Sequence, residues 1–411
     1  MALHIIEEAN CCLNCKKPMC QQGCPIHTPV PHIITLFKEH KVMQAGEELF
    51  ANNPMSVICA AVCNHEKQCA GHCVLGRKGN PVHFSSIESF ISDAYLDRMT
   101  IEPVPKKNMR AAVVGSGPAG MTVAILLAKQ GYDVTIFEYK DKIGGIMQYG
   151  IPEFRLQKSV LERYRRLLLK LGVKIRPNTI IGAVLKIDDL LRDGYKSVFI
   201  GTGVWKAKNL GIPGESFGNV HFGIDYLANP SACQLGEKVA VIGMGNAAMD
   251  VARTALRHGA KQVTLYGRGK AIAASSQETA FTQLDGAELV FGKAIQRITD
   301  KGPVFKNSIL DEHDKVVGYE EGEELIPADS VIISISQGPR KKLVRTTVGL
   351  EAAESGLLVV DENYMTTKPG VFAAGDVVSG SKTVVDAVAG AKKAAHAMME
   401  YMEKECMGER E

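Results

Sequence analysis

Val113-Val114-Gly115-Ser116-Gly117-Pro118-Ala119-Gly120 is the stretch on which the fold turns. An apolar segment, 111–114, runs into Gly-x-Gly-x-x-Gly and then into a second apolar segment, 121–130. So short and hydrophobic a strand belongs in a core, and the glycines fall where a strand must turn sharply into a helix. Gly115 permits the tight turn and Gly117 lets a pyrophosphate approach the backbone. Gly120 lets helix and strand pack closely, and Pro118 and Ala119 open a helix whose N-terminus faces the phosphates. A second strand, Asp133-Val134-Thr135-Ile136-Phe137, ends on Glu138, where a carboxylate can bind a pair of ribose hydroxyls. Together these features read as a dinucleotide-binding unit; the alternative is a tight strand-to-helix turn with no ligand.

The pattern returns farther along. Val239-Ala240-Val241-Ile242-Gly243-Met244-Gly245-Asn246-Ala247-Ala248-Met249-Asp250 is again strand, glycine turn and helix, with Ala248 in the third glycine position. Asn246 and Asp250 are expected in the first turn of that helix, as ligand contacts or merely as capping groups. The second strand of this unit, 262–266, ends on Gly267-Arg268-Gly269-Lys270 rather than on an acid. A carboxylate there would favour the free ribose of NAD, whereas Arg268 can hold the 2′-phosphate of NADP; a solvated basic loop is the plainer reading. Two further stretches complete the first unit: the glycine loop Gly144-Gly145, able to pass close to a flat ring, and Val371-Phe372-Ala373-Ala374-Gly375-Asp376. Asp376 could accept from a ribityl hydroxyl. A helix beginning at Thr383 would stabilise a reduced flavin if its N-terminus points at the ring. Two dinucleotide units, one inserted in the other, suit hydride transfer between two bound dinucleotides.

At 411 residues the chain has room for two or three domains, and 45% apolar with 23% charged residues is a globular composition. A net charge of +3 gives no pull toward nucleic acid or a membrane surface, and no apolar run reaches the length of a membrane span. The first ten residues carry two acids and no signal-peptide core, so a cytoplasmic location is expected.

Nine of the eleven cysteines fall between Cys11 and Cys73. They form two sets, Cys12-x2-Cys15-x4-Cys20-x3-Cys24-Pro25 and Cys59-x3-Cys63-x5-Cys69-x3-Cys73. In a reducing compartment such crowding indicates a metal site rather than a disulfide scaffold. A run closing in Cys-Pro is of the ferredoxin kind, although the x4 gap departs from the bacterial spacing. Two [4Fe-4S] clusters are expected; structural zinc and free thiols are the alternatives, zinc favouring paired Cys-x2-Cys knuckles of which only Cys12 and Cys15 have the spacing. Residues 30–50 read as mostly helical, with Ile33, Ile34, Phe37, Val42, Met43 and Leu49 as an apolar stripe; Ile87, Phe90, Ile91 and Leu96 mark another helix. A Pro-rich charged segment, 101–107, reads as a linker.

With these residues assembled, the chain resembles one family over nearly its whole length. It looks like the small subunit of bacterial glutamate synthase and the matching amino-terminal half of dihydropyrimidine dehydrogenase, most of all the flavin subunit of the bacterial two-subunit NAD-linked dihydropyrimidine dehydrogenase. The two cysteine sets carry the likeness, as do Gly115 to Gly120 with Glu138, and Gly144-Gly145 continuing through Tyr149-Gly150-Ile151-Pro152-Glu153-Phe154-Arg155. Gly243 to Asp250 and Val371 to Asp376 complete it. The resemblance implies an α/β fold with an α-helical N-terminal iron–sulfur domain (1–105) and two Rossmann-like nucleotide-binding domains of glutathione-reductase type. The FAD-binding domain would take 106–230 and 337–411, with the NAD(P)H-binding domain, 231–336, inserted in it. It further implies that Cys12, Cys15, Cys20 and Cys73 hold one four-iron cluster, and Cys24, Cys63, Cys69 and Glu88 the other, leaving Cys59 without a ligand role. Arg155 joins the cofactor-binding residues on the same basis. Where NADPH-using members often carry two adjacent basic residues after the second strand, Arg268 stands alone. With neither a pyrimidine-reducing barrel nor an amidotransferase in the chain, the resemblance implies an electron-input subunit that needs a catalytic partner. No side-chain acid or base is assigned to the hydride step. A zinc-stabilised NAD(P)-sensing or scaffold protein is the rival reading from another class.

Overall fold

The computed structural model describes residues 2–408. The chain divides into two compact units, one of 1–147, 153–204 and 339–411, the other of 148–152 and 205–338.

The first unit begins with helices Ala2–Asn10, Val30–Lys38, Val42–Asn52, Ser56–Val62 and Phe84–Arg98. The stretch 30–50, read as mostly helical, is so: it forms two helices, separated where His40 takes a positive φ of 61°. Ile33, Ile34, Leu49, Ile87 and Ile91 are buried in the core they share, each worth about 1.5–3 kcal/mol of transfer free energy. Met43, read as part of the apolar stripe, lies on the outside at 37% exposure, as does Phe90 of the last helix at 42%. Phe90 packs in a T-shaped arrangement on Phe37, ring centroids 5.8 Å apart. The segment 99–109 has no regular secondary structure, as its prolines dictate.

A five-stranded parallel sheet follows, in the order Val371–Ala373, Tyr195–Ile200, Arg110–Val114, Asp133–Phe137, Lys174–Arg176. Its central strand pairs Val113 with Ile136 on one side and Phe199 on the other. All four inner residues of that strand are buried, as covering of both faces requires. The helix Pro118–Lys129 covers one face and packs against the C-terminal helix Val384–Gly408.

The N-terminal helices and this sheet belong to one compact unit. Tyr164 Oη donates to the Pro54 carbonyl at 2.6 Å, and Arg163 reaches Asp93 Oδ1 at 2.5 Å and Asp97 Oδ1 at 2.9 Å. Lys129 lies over the Phe50 ring, 5.3 Å from its centroid.

The second unit has its own five-stranded parallel sheet, ordered Val220–Phe222, Ser330–Ile333, Lys238–Ile242, Gln262–Gly267, Glu288–Phe291. Because Val220–Phe222 pairs with Ser330–Ile333, this unit draws in chain well before residue 231, where the inserted domain was expected to start. An antiparallel sheet built on Lys293–Thr299 and Gly302–Leu310, with Val316–Tyr319 and Glu324–Leu325, belongs to the same unit. No helix among the described residues is long and apolar enough to cross a membrane.

Candidate functional site

The first glycine turn places three groups together. Gly115 has φ of 97°, and a Cβ there would lie 2.6 Å from the Gly201 carbonyl oxygen, so the turn admits no side chain. A Cβ on Gly120 would sit 1.9 Å from the Gly115 carbonyl, which is the close packing expected of that position. Gly117 differs: a Cβ would find only the Gly201 oxygen, at 3.9 Å, so the space over it is open. The helix Pro118–Lys129 starts at that opening with Gly117 as N-cap and no side chain capping it. Its first N–H groups are therefore left to an external acceptor.

Glu138 closes the second strand, 3% exposed. Its Oε2 accepts from the Ser116 backbone N–H at 2.8 Å and from Ser116 Oγ at 2.5 Å, and its Oε1 accepts from Lys140 N–H at 2.8 Å. The carboxylate is thus locked beside the glycine turn. Ser116, fully buried, is a positioning residue that the motif hides, because it occupies a variable position of Gly-x-Gly-x-x-Gly. It also receives Gly144 N–H on its carbonyl at 3.0 Å, while a Cβ on Gly145 would meet Gly117 Cα at 2.7 Å. The Gly144-Gly145 loop is therefore laid directly against the first turn. Arg155 lies half-buried in the turn 153–155.

The C-terminal segment returns to the same place. Gly375 has φ of 77° and a Cβ on it would be 3.2 Å from Ala119 Cβ, which brings Asp376 to the start of the glycine helix. Burial pushes the Asp376 carboxyl up to about 6, against the pull of the Lys382 N–H that donates to it at 3.2 Å. Thr383 precedes the helix Val384–Gly408 and exchanges capping bonds with Asp386: Thr383 Oγ donates to Asp386 Oδ2, and Asp386 N–H donates to Thr383 Oγ at 3.3 Å. These residues converge on one cradle whose open space and buried acids fit an extended dinucleotide.

In the second unit, a Cβ on Gly243 would strike the Ser334 carbonyl at 2.2 Å, whereas one on Gly245 would meet nothing within 4 Å. Asn246 opens the helix Asn246–Arg257, but its Oδ1 accepts from Ser275 N–H at 3.0 Å and so ties the helix start to the following loop. Ala247 lies beside it in the first turn. Asp250, expected in that turn, sits one turn deeper and is 4% exposed, because the helix starts only at Asn246. Arg268 is exposed just past the second strand, and Lys270 is paired with Asp314 at 2.7 Å. Gly245 has an ordinary φ of −95°, so Gly245→Ala is expected to leave the melting temperature unchanged. It should weaken NAD(P)H binding at least tenfold, about 1.4 kcal/mol, as measured by dye reduction against cofactor concentration.

The cysteines form two neighbourhoods. Cys12, Cys15, Cys20, Cys69 and Cys73 line one cavity, open to solvent and otherwise walled by apolar side chains such as Ile34 and Phe84. Burial raises the Cys12 thiol above its ordinary value and pushes Cys20 up to about 11, the neighbouring cysteines adding to both shifts. Several thiolates can share such a cavity only if a cation compensates them, and a thiol-ligated cluster supplies that charge. Among the described residues, no three His, Cys, Asp or Glu side chains form a group that could hold a single metal ion. Cys69 belongs to both neighbourhoods, its thiol pushed up to about 12 by burial first and then by Glu88 and Cys24. In the second neighbourhood, Cys63 is raised well above the thiol range by its hydrogen bond with Cys59, then by burial. Glu88 projects from the buried face of its helix, 6% exposed, and burial, with Cys59 next, holds its carboxyl far above the usual range. A helix that buries an acid among thiols fits a metal ligand, since burying that charge without a partner costs several kcal/mol. Cys24 lies beside this group, and Cys11 is exposed with its thiol on the Glu7 carbonyl.

A dinucleotide cradle with a locked acid, a second glycine turn in an inserted sheet and a thiol-rich helical segment define a flavin- and nicotinamide-dependent oxidoreductase. The profile of the pyridine nucleotide-disulphide oxidoreductases matches residues 109–391, and the chain belongs to that family. The profile for dihydropyrimidine dehydrogenase domain II, 4Fe-4S cluster, matches residues 2–100. The chain is 31% identical to the glutamate synthase [NADPH] small chain of Halomonas elongata, over 96% of this chain and 90% of that one. It is likewise 31% identical to the NAD-dependent dihydropyrimidine dehydrogenase subunit PreT of Escherichia coli O157:H7, over 98% and 95%. Among solved structures, Mycobacterium tuberculosis FprA in complex with NADPH shares the fold at TM-score 0.61 and 18% identity, over 73% of this chain and 86% of that one. T. acidophilum thioredoxin reductase does so at TM-score 0.56 and 24% identity, over 72% and 98%. The protein is therefore an FAD- and iron–sulfur-dependent NAD(P)H oxidoreductase with the expected α/β class of fold.

Proposed function

We propose that this chain is the electron-input subunit of a dihydropyrimidine dehydrogenase-type complex, working in the cytoplasm with a catalytic partner subunit that reduces or oxidises the pyrimidine. The observation that carries it is the union, in one compact unit, of the cysteine-lined N-terminal segment with the glycine cradle, in a chain matching PreT over 98% of its own length and 95% of the relative's. When bound, FAD accepts a hydride equivalent from NAD(P)H and two [4Fe-4S] clusters carry the electrons onward singly, or the flow is reversed.

The chain's residues position these groups. Glu138 holds the ribose of the FAD, Gly117 and the helix start at Pro118, Ala119 and Gly120 clear and charge the pyrophosphate site, and Asp376 faces the ribityl chain. Gly144, Gly145 and Arg155 border the same cradle. Thr383 caps the helix whose N-terminal dipole favours added negative charge, an effect of about 0.3–1 kcal/mol. Gly243, Gly245, Asn246, Ala247, Asp250 and Arg268 hold the nicotinamide dinucleotide. Cys12, Cys15, Cys20 and Cys73 ligate one cluster, and Cys24, Cys63, Cys69 and Glu88 the other.

The small subunit of a glutamate synthase is the second reading, favoured by equal identity to the Halomonas elongata chain. It shares all the chemistry inside this chain and differs only in the partner. Anaerobic purification with an iron assay and an optical spectrum tests the common part: yellow-brown protein holding iron and flavin is expected, and colourless protein with zinc would end both readings. Mass spectrometry of the co-purified large subunit separates them.

A further inference from the structure

Cys24 lies at the end of a chain of polar contacts that begins on the C-terminal helix. Lys392, half-buried on Val384–Gly408, donates from Nζ to Asn52 Oδ1 at 2.9 Å and to the Asn52 carbonyl at 2.5 Å. Asn52 Nδ2 donates to Thr28 Oγ at 3.4 Å, and Thr28 Oγ stands 3.3 Å from Cys24 Sγ. Thr28 is 3% exposed, so its hydroxyl must find its partners inside the protein.

The chemistry of the groups sets one direction. An ammonium has donors only, so Asn52 presents its oxygen to Lys392 and its amide hydrogens to Thr28. A sulfur that binds iron is a thiolate with no hydrogen to give, so between Cys24 and Thr28 it is the hydroxyl that donates. Every link therefore donates toward Cys24, and a positive charge stands at the far end. Burial lowers the Lys392 ammonium from its ordinary value, and nearby Cys24 opposes that shift. The chain also crosses from the helix that starts at the flavin cradle to the N-terminal segment that carries the clustered cysteines.

We propose that Lys392, Asn52 and Thr28 form a one-way donor relay that raises the reduction potential of the cluster bound through Cys24. They are positioning residues for electron transfer between flavin and cluster. The inference rests on the reading of Cys24 as an iron ligand. Hydrogen bonds to cluster sulfurs and nearby positive charge both favour the reduced, more negative cluster. No bond is made or broken: one electron leaves the reduced flavin and enters the cluster, and the relay alters only how far that transfer goes.

The test is an anaerobic redox titration of the intact iron-loaded protein, followed by electron paramagnetic resonance. Thr28→Val and Lys392→Met should each lower the midpoint of one cluster and leave the other in place, with wild-type iron and flavin content. For Lys392→Met the flavin-to-cluster equilibrium is expected to fall about tenfold, about 59 mV for one electron. Thr28→Ser and Lys392→Arg should restore the midpoint. Unchanged midpoints in Thr28→Val and Lys392→Met would overturn the relay; if Lys392→Met fails to hold iron, Thr28→Val alone decides. Cys24→Ser tests the underlying reading separately. Loss of one cluster signal supports it, whereas retention of both signals removes the ligand and the relay with it.

Discussion

Gly120→Val is expected to yield protein without flavin. The missing Cβ space at this position is filled by backbone: the Gly115 carbonyl at 1.9 Å, with Val113 Cγ1 at 3.2 Å behind it. Backbone cannot rotate aside as a side-chain tip can, so the helix must move off the sheet. Overpacking of this kind costs about 1–3 kcal/mol, and more where main chain is the neighbour. The displacement would also pull the helix start away from the phosphate position and disturb the Ser116–Glu138 contacts beside it. Flavin absorbance per protein and the melting temperature should both fall. Gly117→Ala makes the contrast, because its Cβ would meet only an oxygen at 3.9 Å: an unaltered melting temperature of the flavin-free protein is expected, with FAD affinity at least tenfold weaker. A Gly120→Val protein that binds FAD normally would contradict the packing argument.

Cys73→Ser is expected to remove the iron of one cluster and to spare the flavin, lowering iron content by about half in a two-cluster protein. Cys73 lines the solvent-open cavity with Cys12, Cys15 and Cys20. Cys69→Ser is the sharper case. Its sulfur borders that same cavity and is also the one influenced by Glu88 and Cys24. Loss of the signal that survives in Cys73→Ser would assign Cys69 to the Glu88 neighbourhood; loss of the same signal would place it with Cys73 and displace the expected ligand set.

The glycine turns were legible because main-chain sterics force one residue type at fixed spacing: Gly115, Gly120 and Gly243 each stand where a Cβ would meet a carbonyl oxygen at 2.6 Å or closer. The cysteine-rich segment was legible for a chemical reason, thiols being scarce and clustered. Other features left little trace. Lys293–Thr299 and Gly302–Leu310 pair antiparallel with one face open, and their mixed polar and apolar residues resemble a loop in one dimension. The turn at His40 has no glycine or proline to announce it. The start of the second unit near 205 was hidden because Val220–Phe222 is an edge strand of three half-buried residues. Ser116 and the pairing of Asn246 with Ser275 depend on side-chain contacts 22 and 29 residues apart in the chain, and Lys392 meets Asn52 from 340 residues away. Each of these polar residue types is common on any surface, so only the folded contact reveals its role.

The bonds of Tyr164 to Pro54 and of Arg163 to Asp93 and Asp97 fasten the N-terminal segment, which carries the clustered cysteines and Glu88, to the helix Lys158–Lys170 of the same unit as the first parallel sheet. A redox module fastened in this way is no swinging arm. Its hop distance is built in at folding, so the internal transfer should proceed at the same rate in buffer and in concentrated sucrose. Any viscosity dependence of turnover would then arise where separate molecules meet and part.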